Sequence, residues 1–168
     1  MASSAAVTQS ALLESQMITF ALTVLGGVLI FATGQILLKL VIEPAQELKK
    51  SLGSVSNKLL LYQAQITNAS FNTEIAREIE TKSAEIISTS TIIVGYRLVQ
   101  KLFKLPSKEN IHLASRELNR ISYGMRETSK VFEDSPSYNG QKTNFRFTNT
   151  RAIKKVGELL NLKTTFEN

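Results

Sequence analysis

The chain has no cysteine, one histidine (His112) and one aspartate (Asp134) in 168 residues. Without cysteine it has no disulfide, no thiolate nucleophile and no lipid-modified cysteine anchor, and the absence fits a reducing compartment. A Ser-His-acid triad would have to be built on His112. That residue sits mid-helix beside the apolar Ile111 and Ala114, so it reads as a boundary side chain. Carboxylate-bridged metal bundles use two Glu-x-x-His pairs and two further Glu. Glu109 and His112 supply one such pair, and with one histidine a second cannot exist. There is no phosphate-cradling loop either, because Gly26-Gly27 lies in an apolar stretch and no Gly-Lys-Ser/Thr occurs. These absences point away from an enzyme, and neither a metal nor a cofactor is expected.

Two more absences organise the chain. Residues 17–38 carry no charged side chain, and no Lys or Arg precedes Lys39. A helix of about 20 apolar residues crosses the roughly 30 Å hydrocarbon core of a bilayer. Within that core a helix satisfies its own backbone hydrogen bonds. The stretch holds Thr19, Thr23, Thr33 and Gln35 as well as Gly26, Gly27 and Gly34, but Leu, Ile, Val, Phe, Ala and Met dominate it. A cleaved signal is not expected, since the run exceeds a signal core of 7–15 residues and lacks a basic region before it. Beyond Leu38, 20 bases face 13 acids once Glu14 is set aside from the 14, a net charge of +7. The positive-inside rule then puts the C-terminal side in the cytoplasm and the N-terminus outside. On that side the Asn68-Ala-Ser70 sequon would stay unused.

After the apolar run the patterning is helical. Glu43-Pro44 predicts a kink and the first turn of a new helix. Leu48, Leu52, Val55, Leu59, Tyr62 and Ile66 then recur in steps of three and four, with Gly53 as a weak point. A second helix is expected over about 72–104, with an inward stripe of Ile75, Ile79, Ile86 and Ile93, continuing to Leu98 and Leu102. Ser88 to Thr91 and Gly95 mark where it would split. Leu105-Pro106-Ser107 is a boundary, and Ser107 is a natural N-cap for a helix with Ile111, Ala114, Leu118, Ile121 and Met125 on one face. Asp134-Ser-Pro136 and Asn139-Gly140 signal a loop, with Phe145-Arg146-Phe147 as a short strand or docked segment within it. A last helix should span about Thr150 to Leu160, with Asn149 or Thr150 as cap and Ile153, Val156, Leu159 and Leu160 inward. The expected fold class is all-α: one N-terminal transmembrane helix continuing into a small cytoplasmic helical hairpin or bundle. Its divisions are an extracytoplasmic tail (1–16), the span (17–38), a helical cytoplasmic domain (39–132), a loop (133–149) and a C-terminal helix and tail (150–168).

Several motifs suit binding. Arg97, Lys101, Lys104 and Lys108 recur at i, i+4, i+7 and i+11, the first three on one side of a helix that shows Val94, Leu98, Leu102 and Leu105 on another. This is the pattern of a basic amphipathic helix, which suits contact with an anionic membrane surface. A second basic group is Arg116, Arg120, Arg126 and Lys130, and a third is Arg146, Arg151, Lys154 and Lys155. In the span, Thr23, Gly27 and Gly34 share one face, where small residues let a second helix approach closely. Glu78 faces Lys82 at i+4, the spacing of a solvated ion pair.

The segments Val41-Ile-Glu-Pro44-Ala-Gln, Leu59-Leu-Leu-Tyr62, Leu105-Pro-Ser-Lys108-Glu-Asn-Ile111 with Ala114-Ser115, and Ile153-Lys-Lys-Val-Gly-Glu-Leu-Leu160-Asn-Leu together resemble a broad group of small bacterial single-pass membrane proteins to which no function is assigned. The resemblance implies a bacterial origin and a membrane-anchored helical body, and it carries no catalytic residues.

The expected function is a non-enzymatic, membrane-anchored interaction or scaffold module at the cytoplasmic membrane. Its expected partners are membrane lipids and a protein, with homo-oligomerisation open. Two other readings compete. One is an oligomerising membrane effector of the defence or toxin type that perturbs the bilayer. The other is recruitment of nucleic acid to the membrane, which the lack of a helix-turn-helix, zinc site or RNA-binding aromatic motif disfavours.

Overall fold

A computed structural model describes residues 2–127 and 136–166, and among them every regular element is helical. The chain divides into two compact units, Met1–Leu40 and Val41–Asn168.

The first unit is the helix α1, Ala2–Leu37. The part read as a tail is therefore helical from Ala2 onward. Three of its threonines are satisfied within the helix: the hydroxyls of Thr19, Thr23 and Thr33 each donate to the carbonyl four residues back, at 2.8 Å. Such back-bonding makes threonine compatible with an apolar medium, because no donor is left without an acceptor. Among the described residues one helix is long and apolar enough to cross a membrane, and none of its most apolar 18-residue window is buried within the chain.

The break expected at Glu43-Pro44 takes another form. A π-helical turn, Leu38–Ile42, is followed directly by α2, Glu43–Leu61, and Ile42 keeps right-handed helical angles of −73° and −51°. Pro44 lacks an N–H and its ring crowds the carbonyl four residues earlier, that of Leu40. A wider turn just before the proline relieves that crowding without ending the helix. Gly53 does not end α2 either.

In the second unit α2 is followed by α3 (Gln63–Thr67), α4 (Thr73–Ile92), α5 (Tyr96–Phe103), α6 (Lys108–Glu127) and α7 (Pro136–Leu160). Helix α4 packs on α2 and α6, α6 packs on α7, and α7 also meets α3 and α2. The stripes expected from spacing form the interior: Leu48, Leu52, Val55, Leu59 and Ile66, then Ile75, Ile79, Ile86 and Ile93, then Ile111, Ala114, Leu118, Ile121 and Met125, and finally Ile153, Val156 and Leu160 are all buried. Where α4 crosses α6 the side chains are small. Ser83 Oγ donates to the Ser115 carbonyl at 3.0 Å, and Ser115 Oγ donates to the Ser83 carbonyl at 3.2 Å. Two side-chain caps start helices: Asn72 Oδ1 accepts from Ile75 N, and Ser107 Oγ accepts from Asn110 N, both at 3.0 Å. The ion pair expected between Glu78 and Lys82 is replaced by two others. Glu78 pairs with Lys58 of α2 at 2.8 Å, and Lys82 pairs with Glu85 at 2.6 Å.

Two further expectations are corrected. Helix α7 begins at Pro136, so 136–149, read as a loop, is helical, Phe145 to Phe147 lie inside that helix, and the last helix does not wait for Thr150. Proline suits a first helical turn, and contacts made by this stretch outweigh its turn residues. Asn149, read as a cap, is fully buried and its Nδ2 donates to the Ile66 carbonyl at 3.0 Å. Phe145 stands edge-on to Tyr123 of α6, ring centres 6.3 Å apart. The remaining expected loop residues, 133–135, and Lys130 lie outside the described residues. The second correction is at Leu98 and Leu102, read as inward. They are 79% and 77% exposed, and Tyr96 and Val99 take the interior positions. Gly95 causes the change: with φ at 64° it occupies the left-handed region, ends the register of α4 after the extended Ile93, and starts α5 on a new one.

The glycines of the second unit give opposite expectations. A methyl group on Gly157 would stand 2.5 Å from Thr164 Oγ1 and 3.0 Å from the Leu162 carbonyl, because the tail folds back there and Thr164 Oγ1 donates to the Ile153 carbonyl at 3.0 Å. One on Gly53 would meet nothing within 4 Å. Gly157→Ala should therefore lower the unfolding free energy by about 1–3 kcal/mol through overpacking. Gly53→Ala should raise it by up to about 1 kcal/mol through helix propensity. Thermal or denaturant unfolding in mild detergent measures both, and equal signs would contradict this packing.

Candidate interaction surfaces

Three surfaces hold the residues singled out from sequence. The first is α1. Met17, Phe20, Ile30 and Phe31 are among the many large apolar side chains it exposes around its circumference. Thr23, Gly27 and Gly34 lie on one face of it, and a methyl added at Gly26, Gly27 or Gly34 would meet nothing within 4 Å.

The second is α5 and the corner that follows it. Tyr96 and Val99 face the interior with the half-buried Phe103 beside them, and Tyr96 Oη donates to the Pro106 carbonyl at 2.6 Å. Burial pushes the Tyr96 phenol up to about 12. On the opposite side Leu98 and Leu102, one helical turn apart, stand in solvent, and Val94 and Ile92 just before the helix are exposed as well. Arg97 and Lys101 flank the two leucines and are exposed. The other two members of the expected basic stripe sit differently. Lys104 caps α5 in a left-handed conformation with φ at 53°, and Lys108 opens α6 with its ammonium 5.1 Å from the centre of the Tyr96 ring. The four cations therefore do not form one continuous helical stripe.

The third is a groove of about 780 Å³ between the end of α3 and the outer side of α7. Its walls include Thr67, Arg146, Phe147, Arg151, Lys154 and Glu158. Phe147 is 74% exposed although it is a large apolar side chain. The third basic group of the sequence is thus gathered around an exposed aromatic ring. Lys155, also on this wall, reaches Glu117 Oε1 at 2.8 Å, while Arg120 holds Glu117 Oε2 at 2.9 Å. Glu117 is buried, and the two cations compensate a carboxylate that would otherwise be costly to bury. Of the second basic group, Arg120 is engaged in this way, Arg126 pairs with Glu80, and Arg116 is exposed. The sequence reading offered Phe145 to Phe147 as a loop that could hold a partner, and as a loop it could not place Phe147 with Arg151 and Lys154 on one helical wall; their i, i+4 and i+7 spacing was the available signal.

His112 is exposed, and among the described residues no three of His, Asp and Glu gather in a way that could hold a metal ion. In comparisons with protein-family models, with curated proteins and with solved structures, the chain matches none.

The acids of α4 set a pH dependence. The Lys58 ammonium beside Glu78 holds its carboxyl below the usual 4.5, and the Lys82 ammonium, aided by Ser51 Oγ at 2.8 Å, does the same for Glu85. A carboxyl with a depressed folded pKa contributes stability above its unfolded value, which is lost as pH falls through the folded one. The double variant Glu78→Gln, Glu85→Gln should therefore melt lower than the parent at neutral pH. The gap should narrow as pH drops below 4.5, when the parent's own acids protonate. A gap that stays constant into acid would contradict these pairings.

Proposed function

We propose that the protein is a non-enzymatic module anchored in the cytoplasmic membrane by α1, with the second unit as a basic helical bundle in the cytoplasm that holds a protein partner. The observation that carries the reading is the combination, in one chain, of an uncharged span of 22 residues with an exposed apolar circumference and a basic groove around Phe147. An apolar helix that nothing in its own chain covers needs lipid or other apolar helices around it. The placement of every Lys and Arg after Leu38 supports a cytoplasmic C-terminus. The groove offers an exposed aromatic ring with Arg146, Arg151 and Lys154 on its walls beside Glu158. It suits a partner segment with one apolar side chain and flanking acids, since charge complementarity favours encounter and desolvated aromatic anchors favour affinity.

A second reading is the membrane effector that oligomerises through α1, favoured by the open face at Thr23, Gly27 and Gly34. One pair of variants separates the two. Full-length protein is captured in mild detergent, bound proteins are identified by mass, and growth on overexpression is followed in parallel. Under the adaptor reading, Arg146→Glu with Arg151→Glu should lose a stoichiometric partner that the parent and Gly27→Leu both retain. If Gly27→Leu instead abolishes a growth arrest caused by the parent, and no partner depends on the groove, the effector reading takes its place.

A further inference from the structure

The exposed side of α5 has the composition of a helix that lies in a membrane interface. Leu98 and Leu102 are the most exposed large apolar side chains of the second unit, and they stand one turn apart on a helix whose other side is fixed in the core by Tyr96 and Val99. Val94 and Ile92 extend the same apolar exposure toward the N-terminal end. Arg97 and Lys101 flank the leucines, and Lys104 adds a third exposed cation at the end of the helix. No acidic residue occurs from Ile86 to Ser107, so the charge around this side is of one sign. Water solvates cations readily but not two adjacent leucines. A leaflet of anionic lipid satisfies both, with phosphate and carboxylate headgroups for the cations and the acyl boundary for the apolar side chains.

We propose that α5 is a second, peripheral membrane contact, lying in the interface of an anionic leaflet with Leu98, Leu102 and Val94 inserted and Arg97, Lys101 and Lys104 on the headgroups. The proposal rests on the reading of α1 as a membrane span. The second unit begins at Val41, three residues beyond the last residue of the uncharged stretch. Covalent linkage to a membrane-embedded α1 would keep the second unit near the surface and raise the effective concentration of α5 there, so even a weak apolar insertion would be occupied. Contact at two points would also limit the directions in which the α3/α7 groove faces its partner.

The absence of cysteine makes the test clean, because a single introduced thiol is unique. Full-length protein carrying an environment-sensitive fluorophore at Leu98→Cys is reconstituted in phosphatidylcholine vesicles containing about one-third phosphatidylglycerol, with a quencher on the lipid chains. Leu29→Cys, inside the uncharged stretch of α1, and Asn119→Cys, exposed on α6, serve as references. The expected result is blue-shifted, lipid-quenched emission from position 98 as from position 29, while position 119 stays aqueous. Replacing Arg97 and Lys101 by Gln, or omitting phosphatidylglycerol, should reduce the quenching at 98 but not at 29. If position 29 is quenched and position 98 is as aqueous as 119, the interfacial role of α5 is overturned and the anchor stands. If position 29 is unquenched, the anchor reading fails and this proposal fails with it. If position 98 is shielded from water but not quenched by lipid, and thiols at 98 cross-link between copies, a second chain covers the leucines and the proposal is overturned. Leu102→Cys repeats the measurement on a second exposed position.

Discussion

The crossing of α4 over α6 at Ser83 and Ser115 is what the second unit depends on. Each hydroxyl donates to the other helix's carbonyl, and this reciprocity is possible only if both residues are small and the backbones come close. Large side chains on either side in sequence, Ile79 and Ile86 from α4 and Leu118 and Ile111 from α6, are buried in the same core. Helix α2 packs on α4 and α7 on α6, and α7 also meets α3 and α2. Charge follows the same plan at the periphery, with Lys58 joining α2 to α4 and Lys155 joining α7 to the buried Glu117 of α6. Replacing either serine by a larger residue would separate the two helices on which both outer helices rest.

Much of this architecture was legible in the sequence because helical periodicity is a local signal. The apolar steps of α2, α4 and α6, the cap at Ser107 and the boundary at Leu105-Pro106 depend on residues a few positions apart. Two things were not legible, each for a physical reason. The stripe of α4 was carried on into Leu98 and Leu102, but a left-handed Gly95 resets the helical phase, and the same spacing then points those leucines to solvent. The stretch 136–149 carries Pro, Asn and Gly, which locally favour turns. Its helix is supported by contacts distant in sequence, from Asn149 to Ile66 and from Phe145 to Tyr123. No local pattern contains that information.

The interaction surfaces divide in the same way. Arg97, Lys101, Thr23, Gly27 and Gly34 could be placed on helix faces from spacing alone. The gathering of Arg146, Phe147, Arg151 and Lys154 along one side of α7 beside the end of α3 needed the tertiary arrangement. Leu98 and Leu102, which spacing offered both as the end of the α4 stripe and as the apolar side of a basic amphipathic helix, became the most informative feature of α5 through their exposure next to cations. The same logic applies on a larger scale to α1, whose apolar side chains have no cover within the chain.

The central claim is that α1 is embedded in a bilayer, and extraction of membranes at alkaline pH tests it most directly. Full-length protein should stay with the membrane pellet under alkaline carbonate and float with lipid in a density gradient. The double variant Leu25→Arg, Leu29→Arg should be released, because two charges near the middle of the span cost about 2.5–3.5 kcal/mol each on an insertion scale. Release of the parent protein by carbonate, or unchanged retention of the double variant, would contradict the account.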